Sequence, residues 1–495
     1  MTSLAQPPVE TEEPVAHADT LHPHKVLGVL GRSTLWLWLD RGGLRVGTVV
    51  AGLLLVRYLG PTNYGVYATA LAYGGLLAAF LDFGLSLRAA REIGVQKEEG
   101  KRIAAVYLAV TVITFIPQLA FVTGAALLGH WYLACIAAGF LLVNSDTTSD
   151  FCRNVLTSEL RAKETLPGSA LSALGMITVV AGVILLHLSV LALLIGLAAR
   201  SLLVVSLRLW QIREHWPTRH DFGRSMVRRT LARSWPYFTY SLTQIGYQRI
   251  SIVCLGLIAA PHEVGIFGAA MTIAYLYPLW TDAVYDAVLP LLTRLFEYGR
   301  MDELIELRQR VLDLLLVVSV PVAVLLSVFA PEICALLGAR YAASALVLRI
   351  VAYRSIITVL DSFLGQAFLT AINRVRERRD AQARAFVVLT VLTLVLGYFW
   401  GPVGAAVALL IADLSLFFQY LPICRAAGLS IQWPALWPTL AAGSIMALTA
   451  VYLPHVNWAV KIGPSLIVYA GILVLLARDR VLHARNTVLQ CFGRT

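Results

Sequence analysis

Charged residues are scarce in this chain, and long apolar runs are abundant. Only 14% of its 495 residues are Asp, Glu, Lys or Arg, 58% are hydrophobic, and the mean hydropathy is +0.73. A soluble domain carries about 25% charged residues, so this composition excludes an ordinary soluble protein. Runs of about 20 mostly apolar residues recur along the chain, and each is long enough to cross a bilayer as a helix. The sequence therefore predicts a polytopic membrane protein.

The motifs of nucleotide, metal and disulfide chemistry are also missing. The six cysteines and ten histidines are dispersed without ligand spacing, so we interpret the cysteines as packing residues and expect no metal site. No HExxH or nucleophile elbow occurs, and "GVQKEEGKR" at 94–102 has neither the spacing nor the Ser or Thr of a phosphate-binding loop. The apolar runs are continuous, whereas the strands of a membrane barrel alternate over about 10 residues. We expect an all-α fold, no cofactor and no enzymatic activity.

Breaks in the apolar runs predict about fourteen transmembrane helices. They lie near residues 33–56, 65–88, 103–128, 131–150, 166–187, 189–210, 235–258, 264–290, 308–330, 344–370, 385–400, 402–424, 436–454 and 459–477. The corresponding division is a disordered cytoplasmic tail (1–32), a first lobe (33–212), a basic cytoplasmic linker (213–234), a second lobe (235–424), two further helices (425–480) and a cytoplasmic tail (481–495).

The basic residues predict the orientation of these helices. The chain has 40 Lys and Arg residues, six of them within the predicted spans. Of the others, nearly all fall on the side of the two termini, and only Arg57, Arg340 and Lys461 fall on the other side. Cytoplasmic loops carry an excess of Lys and Arg, so we expect both termini in the cytoplasm. This bias also accounts for the net charge of +11 without a nucleic-acid partner. The loops on the outer side are all short, which excludes a sizeable outer catalytic domain.

One pattern occurs twice, at an offset of 200 residues. "LGPTNYGVYATA" at 59–70 is matched by "AAPHEVGIFGAA" at 259–270, so that Pro61 and Gly65 correspond to Pro261 and Gly265. Asp82 and Asp282 share the same offset. Parallel repeats of this kind are typical of transporters whose two halves are related by an axis along the membrane normal. The sequence therefore predicts two pseudo-symmetric lobes around a central cavity.

Three segments resemble the polysaccharide and O-antigen flippases of the multidrug/oligosaccharidyl-lipid/polysaccharide exporter superfamily: "YLGPTNYG", "DFGL" at 82–85 and "GPVGAAVALLIADL" at 401–414. The resemblance implies a transporter of the bacterial inner membrane. It would carry undecaprenyl-pyrophosphate-linked oligosaccharide to the outer leaflet by alternating access, for exopolysaccharide, O-antigen or capsule synthesis. It would meet membrane lipids and the polysaccharide polymerase or export machinery. The alternatives are a lipid II flippase, a multidrug or cation antiporter of the same superfamily and, less favoured, a polysaccharide polymerase or ligase.

Arginines within the spans are the candidate ligands for the pyrophosphate. Each costs about 2.5–3.5 kcal/mol near the centre of a lipid-exposed helix, so they must face protein or water. Guanidinium groups donate paired hydrogen bonds to phosphate oxygens. The candidates are Arg41, Arg45, Arg249, Arg354 and Arg200. The alternative is structural pairing, with Asp40 for the first helix and with Asp361 or Asp413 for Arg354 and Arg200.

Three further groups complete the predicted site. Residues expected to line the cavity and contact sugar are Thr48, Tyr240, Gln244, Tyr247, Gln248 and Tyr275. A cytoplasmic gate closed by ion pairs is expected from Asp82, Arg88, Asp282 and Asp286, with ordinary solvation of helix ends as the alternative. Asp361 and Asp413 lie deeper and are candidates for H⁺ or Na⁺ coupling, while the membrane potential is a second source of energy.

Overall fold

The computed structural model describes residues 44–95, 97–158, 161–213, 224–275, 278–427, 437–452 and 458–492. Within these ranges the chain is helical almost throughout, and no β-strand is found. The helices are α1 (Leu44–Asp82), α2 (Leu85–Val95), α3 (Lys97–Leu127), α4 (Trp131–Ser158), α5 (Thr165–Leu185), α6 (Val190–Gln211), α7 (Arg224–Ile258), α8 (Pro261–Ala274), α9 (Pro278–Glu297), α10 (Met301–Val328), α11 (Ala330–Leu337), α12 (Ser344–Asp361), α13 (Leu369–Ala371), α14 (Val375–Ala426), α15 (Trp437–Tyr452) and α16 (Trp458–Phe492). A π-helical turn, Ser362–Phe368, joins α12 to α13, and 3₁₀ turns occupy Ala162–Glu164 and Ala339–Tyr341.

The two longest helices, α1 and α14, are each bent sharply at a glycine. Gly60 has φ of 69° and precedes Pro61, and Gly401 has φ of 54° and precedes Pro402. Positive φ values suit glycine because it has no Cβ, and the proline that follows cannot donate to the helix. Each helix therefore contains two consecutive spans, and the predicted break between 400 and 402 falls at the observed bend.

The predicted fold class is confirmed. Six helical stretches in the described part of the chain are long and apolar enough to cross a membrane: Val50–Asp82, Glu99–Leu127, Thr165–Leu185, Val190–Gln211, Met301–Val328 and Val375–Ala426. The remaining helices follow the other predicted spans, several of them interrupted by polar or irregular residues. The chain is an all-α, multi-pass membrane protein with two lobes.

Several helices extend beyond the spans that hydropathy predicts. α7 begins at Arg224 instead of near 235, within the predicted linker, and α16 continues to Phe492, past the predicted end near 477. Hydropathy marks the part of a helix that lies in hydrocarbon, whereas its backbone hydrogen bonds continue into the polar interface, where arginine side chains stay hydrated. The predicted tail at 1–32 and most of the rest of the linker lie outside the described residues.

The two lobes meet where the repeated turns face each other. A methyl group added at Gly65 would lie 1.7 Å from the carbonyl oxygen of Pro261, and one added at Gly265 would lie 1.7 Å from the carbonyl oxygen of Pro61. Both approaches are possible only for glycine. The equality of the two distances is the mark of a local two-fold relation, and it explains why Pro and Gly recur at the same spacing.

The last two helices pack outside the repeat. Val320 and Val324 of α10 form a separate buried cluster with residues of α15 and α16 that include Met446 and Leu473. The hydroxyl of Tyr469 in α16 donates to the carbonyl of Val317 at 2.9 Å. α15 and α16 therefore attach to the second lobe, on α10.

Candidate substrate site and gates

Arg249 lies in α7 at the boundary between the lobes. A methyl group added at Gly75 of α1 would lie 3.6 Å from Arg249 Nε. The side chain of Arg249, in the second lobe, therefore packs against the backbone of Gly75, in the first lobe. The side chain is partly exposed. Among the described residues, Arg249 has neither an ion-pair partner nor a hydrogen-bond partner. An arginine within a span and without a counter-ion is expected to have a functional reason.

Arg354 is held by an acid of its own lobe. Its Nε lies 2.6 Å from Oδ2 of Asp413, whose side chain is only 3% exposed. The hydroxyl of Tyr247 donates to Oδ1 of the same carboxylate at 2.5 Å, and the hydroxyl of Thr358 donates to Oδ2 at 3.3 Å. Of the two roles considered for Arg354, this structure shows the structural pairing with Asp413.

Asp361 belongs to the same buried region of the second lobe. Its carboxylate is buried at the end of α12 and interacts electrostatically with Asp413 and Arg354. Its Oδ1 has no hydrogen-bond partner among the described residues. Arg354 pairs with Asp413, so Asp361 has no ion-pair partner among the described residues.

Arg200 pairs within the first lobe, and its expected partners were wrong. Its Nη2 lies 2.8 Å from Oδ1 of Asp146, and its Nη1 donates to the Ser172 hydroxyl at 3.0 Å. The hydroxyl of Ser201 also donates to Asp146 Oδ1, at 2.5 Å. Asp361 and Asp413 lie in the other lobe, whereas Asp146 lies on the neighbouring helix α4. An acid on an adjacent helix of the same lobe is the closer counter-charge.

The polar stripe of α7 divides into two parts. Tyr240 accepts a hydrogen bond from Arg378 Nη2 at 3.2 Å, and Gln244 accepts one from Gln382 Nε2 at 2.9 Å. With Tyr247 on Asp413, these three side chains contact helices of their own lobe. Their expected contact with sugar stays a prediction, and the structure adds that each already has a protein partner.

The open part of the stripe consists of Gln248 and Tyr275. Gln248 is exposed, and Tyr275 is 42% exposed, with its hydroxyl 3.4 Å from the Gln248 carbonyl. On the first helix, Arg41 lies outside the described residues. The backbone of Arg45 and Thr48 is described as helix, but their side chains are not. For these residues the proposed substrate contacts stay predictions.

At the end of the lobe boundary on the predicted cytoplasmic side, here called the inner end, Arg88 joins the two lobes, though not with the predicted partner. Arg88 Nη1 donates to the Thr230 carbonyl at 3.0 Å and to the Ser234 hydroxyl at 3.3 Å, both in α7. Its Nη2 lies 3.1 Å from Glu99. Asp82 does not pair with Arg88: its Oδ2 accepts from the Gly84 backbone at 3.1 Å. The side chains of Asp282 and Asp286 lie outside the described residues.

Aromatic rings reinforce this inner contact. The rings of Phe83 and Phe238 are stacked, with centroids 4.5 Å apart and planes at 12°, and Arg91 donates to the Tyr237 hydroxyl at 2.8 Å. Sequence reasoning missed these residues. The sequence does contain a signal for them. "SWPYF" at 234–238 is an aromatic cluster at the predicted inner end of a span, and "DFG" at 82–84 lies at the same predicted depth in the membrane.

The comparison with known families agrees with this architecture. Residues 30–296, more than half of the chain, match the family model described as polysaccharide biosynthesis protein. The chain belongs to this family. A search of curated protein sequences gave no significant match.

Solved structures of membrane transporters share the fold of this chain. The structure of "Lipid II flippase MurJ, inward closed conformation" superimposes with a TM-score of 0.71 at 14% identity, covering 91% of this chain and 99% of that one. An inward-facing multidrug resistance MATE transporter gives a TM-score of 0.58 at 16% identity, covering 77% and 94%. The outward-facing form gives 0.56 at 14% identity, covering 82% and 96%. At these identities the likeness shows the shared two-lobe fold.

Proposed function

We propose that the protein is a flippase that moves undecaprenyl-pyrophosphate-linked oligosaccharide from the inner to the outer leaflet of the bacterial inner membrane. Membership of the polysaccharide biosynthesis family supports the saccharide, and the two-lobe transporter fold supports translocation by alternating access. The observation that carries the proposal is Arg249, a cation without a counter-ion at the boundary of the lobes. The product would serve exopolysaccharide, O-antigen or capsule synthesis.

The diphosphate is the part of the substrate that this site would recognise. A guanidinium group donates two parallel hydrogen bonds to phosphate oxygens, and Arg41 and Arg45 on the first helix would add charge from the other lobe. With both termini cytoplasmic, as the basic loops predict, the substrate moves outward. A group with about two negative charges gains about 4–5 kcal/mol from an inside-negative potential of about 100 mV. The membrane potential alone would therefore favour export.

The test is leaflet exchange of a fluorescent undecaprenyl-pyrophosphoryl sugar in reconstituted vesicles. Arg249→Gln should slow exchange about tenfold or more, because a hydrogen bond to a charged group contributes about 1.5–3 kcal/mol. Arg249→Lys should keep part of the rate. Arg349→Gln is the matched control, since Arg349 lies within a span of the second lobe but is exposed. Unchanged exchange by Arg249→Gln would contradict the phosphate contact.

We also propose that Asp361, with Asp413, takes up a proton as the lobes change conformation. The unpartnered Oδ1 of Asp361 and the pairing of Arg354 with Asp413 support a carboxylate, that of Asp361, which can gain a proton without breaking an ion pair. A pH gradient that is acidic outside should speed exchange by the unmodified protein and leave Asp361→Asn unaffected. Asp302→Asn, at an exposed acid of α10, is the control. An equal response by Asp361→Asn would reject proton coupling through this residue.

A lipid II flippase and a multidrug or cation antiporter remain the competing functions, because the same fold serves both. The exchange assay separates them when lipid II and a cationic dye are offered beside the undecaprenyl-linked oligosaccharide. Preference for lipid II would replace the proposed substrate. Transport of the dye alone would identify an antiporter. A polymerase or ligase is disfavoured because the predicted outer loops are too short to hold a catalytic domain.

A further inference from the structure

A cavity of about 590 Å³ lies at the end of the bundle opposite the basic loops. Its walls come from α1 just before and at its bend, from the end of α5, and from the end of α11 with the turn that follows it. The lining residues are Leu54, Arg57, Tyr58, Gly60, Ile184, Leu337, Gly338, Ala339, Arg340 and Tyr341. The cavity adjoins Gly60, the residue at the bend before the inter-lobe contact of Pro61. It therefore lies on the boundary between the lobes, beside their outer contact.

The two charged residues of this cavity come from opposite lobes. Arg57 belongs to α1, and Arg340 belongs to the 3₁₀ turn Ala339–Tyr341. A methyl group added at Gly60 would lie 3.4 Å from Arg340 Nη1, so this guanidinium rests on the bare backbone of the bend. The adjacent Tyr341 is buried, and its hydroxyl donates to the Val56 carbonyl at 2.7 Å. The turn that carries Arg340 is thus fixed against the first lobe.

Neither arginine has a counter-ion in the part of the chain that the structure describes. Several other arginines near helix ends pair with acids, such as Arg161 with Glu164. The sequence places only three basic residues at this end, and two of them line one cavity. Both side chains are exposed, so each can be reached by a ligand from the water. Two cations that line one cavity without an acid among its lining residues form a site whose neutralising charge can come from a ligand.

We propose that this cavity binds a phosphate group. Phosphate is the anion that suits two arginine forks, because its oxygens accept paired hydrogen bonds from each. It carries enough negative charge to neutralise both. The source is either the headgroup of an anionic lipid in the outer leaflet or a water-soluble phosphate or diphosphate. The site is separate from Arg249 and does not depend on the identity of the transported substrate.

The position of the site gives it a role in the conformational cycle. It is complete only while the outer ends of the lobes are together, because each lobe supplies one arginine. A ligand that binds one conformation better shifts the population toward that conformation. Bound phosphate therefore holds the outer end closed, and its release accompanies outward opening.

The experiment measures the reaction of individual arginines with phenylglyoxal in phosphatidylcholine nanodiscs, read by peptide mass spectrometry. Millimolar inorganic pyrophosphate should slow modification of Arg57 and Arg340 about threefold or more, since charge-assisted bonds must break first. Arg376, exposed at the other end of the bundle, should react at an unchanged rate. A second arm replaces pyrophosphate with phosphatidylglycerol in the nanodisc. Protection in the lipid arm identifies a headgroup, and protection by pyrophosphate alone identifies a soluble anion.

Two variants make the outcome decisive. Arg340→Gln should abolish the protection of Arg57, because one arginine cannot complete the site, whereas Lys461→Gln, which removes the third outer cation, should leave it intact. A thermal unfolding scan checks that both variants fold. Absence of protection in both arms would overturn the proposal. Equal slowing at Arg376, or persistent protection of Arg57 in Arg340→Gln, would show ionic screening only and would overturn it too.

Discussion

The outer and inner ends of the lobe boundary are closed by different kinds of contact. At the outer end, backbone meets backbone, with Gly65 and Gly265 each against the carbonyl of the opposite proline. At the inner end, the contact consists of the buried guanidinium of Arg88 and a stack of aromatic rings around Phe238. The glycine contact is symmetric and made by backbone, with the cavity of Arg57 and Arg340 beside it. The inner contact is one-sided and made by polar and aromatic side chains.

The repeat explains this difference. The residues of the outer contact are preserved at the offset of 200, but those of the inner contact are not: Phe83 corresponds to Ala283, and Arg88 corresponds to Val288. At these repeat positions only the first lobe therefore has an arginine and a ring, and both contact α7 of the second lobe. Polar contacts can be exchanged for water at low net cost, while a glycine-dependent backbone contact tolerates no change. We expect the two ends to respond differently to substitution.

The largest effect is expected at the outer contact. Gly65→Ala places a methyl group 1.7 Å from the Pro261 carbonyl oxygen, so the helices must move apart. Overpacking of this kind costs about 1–3 kcal/mol, and we expect the upper end because the obstacle is backbone. The outer ends should separate, as measured by electron–electron distance between spin labels at His130→Cys and Trp400→Cys.

Gly52→Ala is the matched control in the same helix, because an added methyl there meets nothing within 4 Å. It should leave the label distances unchanged. Identical distances in Gly65→Ala and the unmodified protein would mean that the outer contact does not depend on the glycine.

A smaller effect is expected at the inner contact. Arg88→Ala removes the bonds to Thr230 and Ser234 and should favour inner opening by about 1–3 kcal/mol. The measurement is the rate of maleimide labelling at Thr230→Cys, a buried position whose backbone bond to Arg88 does not depend on the side chain. Arg228→Ala, at an exposed arginine of the same helix, should not change the rate. Equal labelling in both variants would remove Arg88 from the gate.

The smallest effect is expected from the rings. Phe238→Leu keeps most of the apolar volume but loses the stack on Phe83, which contributes about 0.5–1.5 kcal/mol. The same labelling rate should rise, though less than in Arg88→Ala. Phe296→Leu, on a half-exposed ring of α9, is the control. A larger increase from Phe238→Leu than from Arg88→Ala would reverse the assigned order.

The helices and the repeat could be located from the sequence, because both depend on the order of residues along the chain and not on contacts between distant segments. The break at 401 and the turns at 61–65 and 261–265 follow from hydropathy, proline and glycine alone. Sequence reasoning did less well with polar partners. Arg200 pairs with Asp146, and Tyr247 donates to Asp413. The sequence indicates how deep each of these groups lies in the membrane. It does not indicate how each helix is rotated about its axis, and that rotation decides which groups meet.

The sequence by itself determined that this protein crosses the membrane many times, in two related lobes, with few cations at one end. Burial of apolar surface and the cost of charge in lipid suffice for those conclusions. Only the tertiary structure decided which arginines are neutralised and which are not. Whether an arginine meets an acid depends on how helices distant in sequence are rotated and packed. Arg354 meets Asp413 in this way, whereas Arg249, Arg57 and Arg340 meet no acid among the described residues.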